Sequence, residues 1–248
     1  TMTKSLSILL SSLADIFANE KPDWIVLAGD RGEQMMGAIA GAFCYIPVAH
    51  IQAGELSGNI DGMTRHAIGK YAHLHLASNE DAVQRLLRLG EEPFRVHNVG
   101  APQIDELVQG LFSTRQAFEK QYRIDLDQKF ILLAQHPVTE EFDQAKDQIE
   151  ATMRALRHFD MPKIAILPNN DAGSLMIREG IEGHQHGEFH MFANLPRADY
   201  LCLLQHAACM VGNSSSGLLE APTFKLPAVN LGRRQYQRLQ GANVINAP

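Results

Sequence analysis

The chain has 248 residues, 45% of them hydrophobic, which suits one large domain or two ordinary ones with buried cores and excludes global disorder. Its formal net charge of −6 argues against general binding of nucleic acid or of an anionic membrane, while allowing a local basic pocket for a phosphate. Cys44, Cys202 and Cys209 are odd in number and set among apolar residues, which reads as buried free thiols in a reducing cytoplasm.

The opening residues do not read as a secretory signal. The longest near-apolar run, Gly37 to Ala49, is too short to span a bilayer and contains Pro47. The chain goes from Thr1 straight into a helical pattern and ends on Asn246-Ala247-Pro248 without an evident closing element, so it reads as a piece of a longer protein.

In chain order, Leu6 to Phe17 has helical spacing and Trp24 to Ala28 reads as a buried strand. Glu33 to Phe43 suits a helix whose small residues, Gly37, Ala38, Ala40, Gly41 and Ala42, permit close packing. Pro47 to Ile51 is a second strand, Asp61 to Ala72 a helix, His73 to Ala77 extended, Glu80 to Leu89 a helix and Arg95 to Val99 a strand, with a helix opening near Pro102. The pattern restarts after Phe112. Strands are expected at Phe130 to Ala134, Lys163 to Leu167, near Phe189, at Cys209 to Val211 and at Ala228 to Asn230. Helices are expected at Glu140 to His158 and from Ser174, Pro196 and Ser215. Repeated βα units imply parallel sheets with helices on both faces. Two such runs, joined near residues 112–124, give two Rossmann-like domains, 1–113 and 114–248, with no internal repeat or low-complexity segment.

Ligands of such sheets bind beyond the carboxyl ends of strands. Five polar clusters follow predicted strands: Gly29-Asp30-Arg31, HIQAGELSGNID (His50 to Asp61), Gln135-His136-Pro137, Pro168 to Asp171, and GNSSSG (Gly212 to Gly217). In the last, small residues let N–H groups and hydroxyls approach a phosphate, a helix start adds positive potential, and Glu220 could accept from ribose hydroxyls. An ordinary N-cap is the plain alternative, and the G-x-S-x-G spacing of a serine hydrolase is absent. Asp30 beside Arg31, and Asp61 one turn before Arg65, read equally as helix caps and solvated pairs. His136 could bind phosphate or carry a proton near neutral pH. His184, His186, Glu188 and His190 alternate as a metal site would, but with no supporting ligands the segment reads as a polar edge or loop.

As a set, AGDRGE (Ala28 to Glu33), HIQAGELSGNID with RHAIGKYAHLH (Arg65 to His75), QHPVTEE (Gln135 to Glu141), PNNDAGS (Pro168 to Ser174), VGNSSSGLLEAP (Val211 to Pro222) and PAVNLGRRQ (Pro227 to Gln235) resemble the UDP-N-acetylglucosamine 2-epimerase family. The resemblance is closest to the hydrolysing branch, which makes precursors of sialic-acid-like and legionaminic-type sugars. It covers nearly the whole chain in the family's order. It implies an α/β fold of two Rossmann-like domains in the GT-B arrangement with the active site in the cleft. The first domain here would lack its opening βα units, and the C-terminal helix would be cut short.

The implied reaction expels UDP from C1 while a base removes the C2 proton, giving a glycal to which water adds with inversion at C2. It requires no nicotinamide and no metal. The matching residues are Asp30 and Asp61 as acid/base carboxylates, and His136 near the diphosphate. Ser214 and Ser215 match phosphate contacts, Glu220 the ribose contact, and Asn169 and Arg234 further nucleotide-sugar contacts. Arg31 and Arg65, the cations beside the two carboxylates, join the candidates for substrate binding.

At Gln52 many members have a catalytic Glu, and Gln cannot act as a general base. Either Glu55, three residues on, takes part as a further catalytic candidate, or Asp30 and Asp61 suffice. Gln52 itself becomes a substrate-binding candidate that would suit a diacetamido-trideoxyhexose, whose 4-acetamido group prefers an amide partner. The resemblance implies a UDP-sugar as partner, a cytoplasmic setting and a homodimer of the full-length protein, with little activity expected of an isolated piece. The non-hydrolysing branch, a GT-B glycosyltransferase and a non-catalytic UDP-sugar-binding module stay open as alternatives.

Overall fold

The computed structural model describes residues 2–58 and 60–248 and divides into two compact α/β units. The first runs to Pro102 and takes in Tyr236–Arg238; the second comprises Gln103–Gln235 and Leu239–Pro248. Residues 103–113, which the sequence pattern groups with the first domain, pack in the second unit: Leu107 is buried in its core, with Ile104 and Phe112 against it.

In the first unit, strands β1 (Ile25–Ala28), β2 (Val48–Ala53), β3 (Leu74–Ala77) and β4 (Val96–Asn98) form a parallel sheet in that order. Helices α1 (Met2–Glu20), α2 (Gly32–Phe43), α3 (Ile60–Tyr71) and α4 (Glu80–Arg88) alternate with them. The small residues of α2 let its backbone lie directly on the sheet: a Cβ added at Gly37 would meet Leu27 at 2.8 Å, and one at Gly41 would meet Val48 at 2.7 Å. Helix α4 begins where the Asn79 side chain accepts from the Ala82 amide at 2.9 Å, a standard N-cap. Among the described residues strand β1 lies at the end of this sheet, with Val26 62% exposed and Trp24 50%. The β2–β3 pairing is regular to Ile51↔Leu76 and then resumes at Ala53↔Ala77, leaving Gln52 as an extra residue in a bulge.

In the second unit, α5 (Asp105–Val108) and α6 (Arg115–Tyr122) precede six parallel strands: β5 (Ile131–Ala134), β6 (Lys163–Ile166), β7 (Phe189–Phe192), β8 (Cys209–Gly212), β9 (Ala228–Leu231) and β10 (Val244–Ala247). They are interleaved with α7 (Ala145–Leu156), α8 (Ser174–Gly183), α9 (Arg197–His206) and α10 (Ser216–Leu219). The spatial order β10-β9-β8-β5-β6-β7 places the reversal of strand order between β5 and β8. Alternation along β5 explains both layers. Ile131 and Leu133 face a core with Ile149 and Met153 of α7 and Ile177 of α8, while Leu132 and Ala134 face one with Phe118 of α6 and Leu201 of α9.

The structure departs from the sequence pattern at several other places. The terminal Asn246-Ala247 forms part of β10, in register with β9. Helix α7 starts at Ala145, because residues Thr139–Gln144 form 3₁₀ turns broken by the non-helical Glu141. His184 closes α8 and donates from Nδ1 to the Gly180 carbonyl, so the histidine run is not one extended face. Of the three free cysteines only Cys202 is fully buried. Among the described residues no helix is long and apolar enough to cross a membrane.

Gly212 carries a sharp prediction. Its φ is +136°, and a Cβ there would meet the Ala134 carbonyl oxygen at 2.1 Å, so the β5 and β8 ends approach as only glycine permits. Gly212→Ala should destabilise the chain by about 3 kcal/mol or more. Gly217→Ala, whose Cβ meets nothing closer than Ala228 at 3.3 Å, should cost about 1 kcal/mol or less. Denaturant unfolding of the two variants gives the comparison.

Candidate functional site

Two groups of polar side chains stand at the carboxyl ends of the strands, one in each unit. In the first unit the loop after β1 carries Asp30, and its Oδ2 is held from two sides. The Ser57 hydroxyl donates to it at 2.9 Å, and Arg65 from α3 forms an ion pair with it. Asp30 accepts no hydrogen bond on Oδ1 from the described residues and is about one-fifth exposed, so one carboxylate oxygen is anchored and the other is open. Asp30 is not the cap of α2, whose N-cap residue is Arg31. Arg65 is 3% exposed; besides Asp30, its Nη1 donates to the Gln52 carbonyl at 2.5 Å. Its bonds therefore go to Asp30 and not to Asp61, four residues before it on α3. Gln52 has a φ of +60°, a left-handed conformation that costs an ordinary side chain of the order of 1 kcal/mol.

Asp61 is partly buried in the first turn of α3, where a carboxylate is favoured by the helix dipole. Arg31 is half-exposed, with Glu33 at 3.4 Å. Glu55 is 6% exposed; Oε2 pairs with Arg238, and Oε1 is buried without a hydrogen-bond partner. His50 was not singled out by sequence. It is fully buried on β2, and its Nε2 donates to the Gly29 carbonyl at 2.7 Å, tying the Asp30 loop to the sheet. A carbonyl can only accept, so Nε2 carries the proton and Nδ1 does not. Burial brings the His50 pKa down to about 4, with the Arg65 cation acting in the same direction.

In the second unit the site forms at the β5/β8 reversal. Asn213 laces the two strand ends together: its Oδ1 accepts from the His136 amide at 2.7 Å, and its Nδ2 donates to the His136 carbonyl at 2.8 Å. His136 Nδ1 accepts from the Asn169 amide at 3.3 Å, which leaves the proton of the neutral ring on Nε2. Burial first, and the Arg234 cation second, lower the His136 pKa to about 4. At neutral pH the ring is therefore an uncharged N–H donor, not the proton carrier that an unperturbed histidine would be.

Arg234 Nη1 and Gln235 Nε2 both donate to the Asn213 carbonyl, at 3.2 and 2.9 Å. The expected helix after the serine loop is only Ser216–Leu219, followed by a 3₁₀ turn at Ala221–Phe224, so it supplies little dipole. Arg234, bonded to the Asn213 carbonyl, sets a cation beside this loop. Ser214 and Ser215 are partly exposed at the start of that turn. Ser214 and Ser216 line a cavity of about 280 Å³ with His136, Arg197, Tyr200 and Asn194. Glu220 is 5% exposed; Oε1 takes Arg197 Nη1 at 3.2 Å, and Oε2 is buried without a partner. The Asn169 side chain donates to Asp171 at 2.5 Å. Sequence reading missed Ser57, Asn213, Tyr200, Arg197 and Arg238; the first two lie inside quoted motifs, and the others carried no local signal. Among the described residues no three His, Cys, Asp or Glu side chains gather as a metal set.

The buried histidines predict an acid-labile fold. His50 binds its proton near pH 4 when folded and near 6.5 when unfolded, so between those values the unfolded chain holds more protons. Stability should be complete above pH 6.5 and fall as pH drops toward 4, by about 3 kcal/mol for His50. His136 acts in the same direction. Denaturant midpoints measured across this range should fall less steeply for His50→Gln than for the native chain.

Known proteins share this pattern. The model of the UDP-N-acetylglucosamine 2-epimerase family matches residues 1–248. A UDP-N,N'-diacetylbacillosamine 2-epimerase (hydrolyzing) of Legionella pneumophila is 40% identical over 99% of this chain and 66% of its own length. A GDP/UDP-N,N'-diacetylbacillosamine 2-epimerase (hydrolyzing) of Campylobacter jejuni is 36% identical over 100% of this chain and 66% of its own. The chain thus spans just under two thirds of these relatives. The UDP-GlcNAc 2-epimerase of Neisseria meningitidis, solved bound to UDP-GlcNAc, has the same fold, with a TM-score of 0.81 at 19% identity over 96% of this chain and 67% of that one. The Methanocaldococcus jannaschii UDP-GlcNAc 2-epimerase, solved with UDP-GlcNAc and UDP, gives 0.80 at 18% identity, over 100% of this chain and 71% of that one. With these motifs in place along its whole length, the chain belongs to the UDP-N-acetylglucosamine 2-epimerase family.

Proposed function

We propose that this chain carries the reacting groups of a hydrolysing 2-epimerase that converts a UDP-linked 2-acetamido sugar into free UDP and the 2-epimeric N-acetylmannosamine-type sugar. The observation that carries the reading is Asp30, with Oδ2 anchored by Arg65 and Ser57 and Oδ1 open to a ligand. A general base needs one oxygen free and a fixed orientation. Asp30 takes the C2 proton as the C1–oxygen bond breaks and its electron pair leaves with UDP. The C2–H pair becomes the C1–C2 double bond of a glycal. Water then adds across the double bond: its oxygen bonds to C1, one of its protons reaches C2 from the opposite face through Asp61, the second carboxylate of this pair, and Asp30 releases the proton it took to solvent. Glu55 is held by Arg238, which makes it a support of the loop more than a base. The C2 proton is very weakly acidic, so departure of the diphosphate must develop positive character at C1 as the proton leaves.

The diphosphate needs donors and a cation. The neutral His136 N–H, the Ser214 and Ser215 hydroxyls and Arg234 are suited to it, and the unpartnered Oε2 of Glu220 to ribose hydroxyls. Asn169 and Arg31 complete the set of proposed contacts. Both hydrolysing relatives are named for a diacetamido sugar, and Gln52 offers an amide where many members have Glu, so UDP-diacetamido-trideoxyhexose is the favoured substrate over UDP-N-acetylglucosamine. The substrate class and the three free thiols favour a cytoplasmic enzyme, and the assembly we propose is a homodimer of the full-length protein.

Incubating the full-length protein with each UDP-sugar in D₂O should release UDP and give a 2-epimerised free sugar with deuterium at C2. Transfer to an acceptor, or binding without turnover, would sink the reading. Asp30→Asn should lower kcat by about 10³-fold, within the range of a lost general base. His136→Gln, which keeps an N–H donor, should retain more activity than His136→Phe. The kcat/KM profile should show no inflection from His136 between pH 6 and 7.

A further inference from the structure

We infer that residue 52 has a second role carried by its backbone: the left-handed bulge at Gln52 is the device that aims Arg65 at Asp30. The inference deepens the proposed reaction and rests on it for the meaning of Asp30. Regular pairing ends at Ile51↔Leu76 and resumes at Ala53↔Ala77, so Gln52 is inserted between two residues that remain in the sheet. Its φ of +60° turns its carbonyl to Arg65, whose Nη1 donates to it at 2.5 Å. The guanidinium is planar and rigid, so fixing Nη1 fixes the direction of Nη2. Nη2 is the atom on Asp30 Oδ2, and the Arg65 side chain is 3% exposed, so its guanidinium is held by protein acceptors and not by solvent. Through this strut the bulge decides which Asp30 oxygen is occupied and which is left open.

Glycine and asparagine enter the left-handed region readily, and β-branched residues do not. The side chain of residue 52 and its backbone should therefore separate in kinetics. In the full-length protein, Gln52→Gly and Gln52→Asn should raise KM, because the proposed substrate amide is lost or shortened, and should lower kcat by no more than about tenfold. Gln52→Val should lower kcat at saturating substrate by about 100-fold, as a displaced catalytic group does. A kcat loss of about 100-fold in Gln52→Gly or Gln52→Asn makes the backbone role wrong, whether or not Gln52→Val folds.

A second readout needs no substrate. In a double-mutant cycle of Gln52→Val, which resists the left-handed bulge, and Arg65→Lys, the loss of thermal stability of the double variant should be smaller than the sum of the single losses, because both break one strut. Additive losses would overturn the inference. A native protein that releases no UDP would instead overturn the proposed reaction, with the cycle still readable.

Discussion

The carbonyl oxygen of Ala134 is the fixed point of the second unit. It accepts from the amides of Asn213 at 3.1 Å and Ser214 at 3.3 Å, and it leaves no space for a side chain at Gly212. These contacts draw the ends of β5 and β8 together where the strand order reverses, which is where a parallel sheet opens a crevice for a ligand. Asn213 then ties both polar groups of the His136 backbone to the same corner. The serine loop, His136 and the Arg234 guanidinium are all referred to this one close approach. The helix that follows is a single turn, so the loop cannot rely on a long dipole, and short-range donors and a cation do that work instead.

The two units treat charge differently. In the first, a buried cation, Arg65, is matched to a carboxylate and a strained carbonyl, and Glu55 is matched to Arg238. A buried ion pair adds little net stability but holds its members in one geometry. In the second, the histidine is kept neutral by burial and by a neighbouring cation, so it can donate without competing for a proton. Among the described residues, one carboxylate oxygen on Glu55 and one on Glu220 stay buried without a partner. Such atoms are costly unless something else satisfies them, which sets these two residues apart from the ordinary ion pairs on the surface.

Much of the layout was legible along the chain. Alternating apolar runs of strand and helix length identified the parallel βα order, and the polar clusters followed the strands as expected. Short or irregular elements were not legible. The terminal β10 carries Asn246 in a strand of low apolar content, and only its pairing with β9 makes it a strand. The early end of the first unit depends on Leu107 and Phe112 finding their core elsewhere, which no local pattern announces.

Residue types and their order along the chain were enough for the chemical inventory: which carboxylates, histidines, serines and arginines stand after which strands, and the family they mark. Residue type and order along a βα chain are local properties, and the period of apolar residues reports them directly. What each group does with its neighbours came from the folded packing. It turned Arg65 from a partner of Asp61, four residues away, into the strut of Asp30, thirty-five positions away in sequence. It made His136 a neutral donor and brought Ser57 onto Asp30. It also placed the insertion at Gln52, because a bulge and a positive φ are set by how β2 meets β3 and not by the side chain that stands there. Protonation, pairing and strain all depend on burial and on contacts distant in sequence, which a linear pattern does not contain.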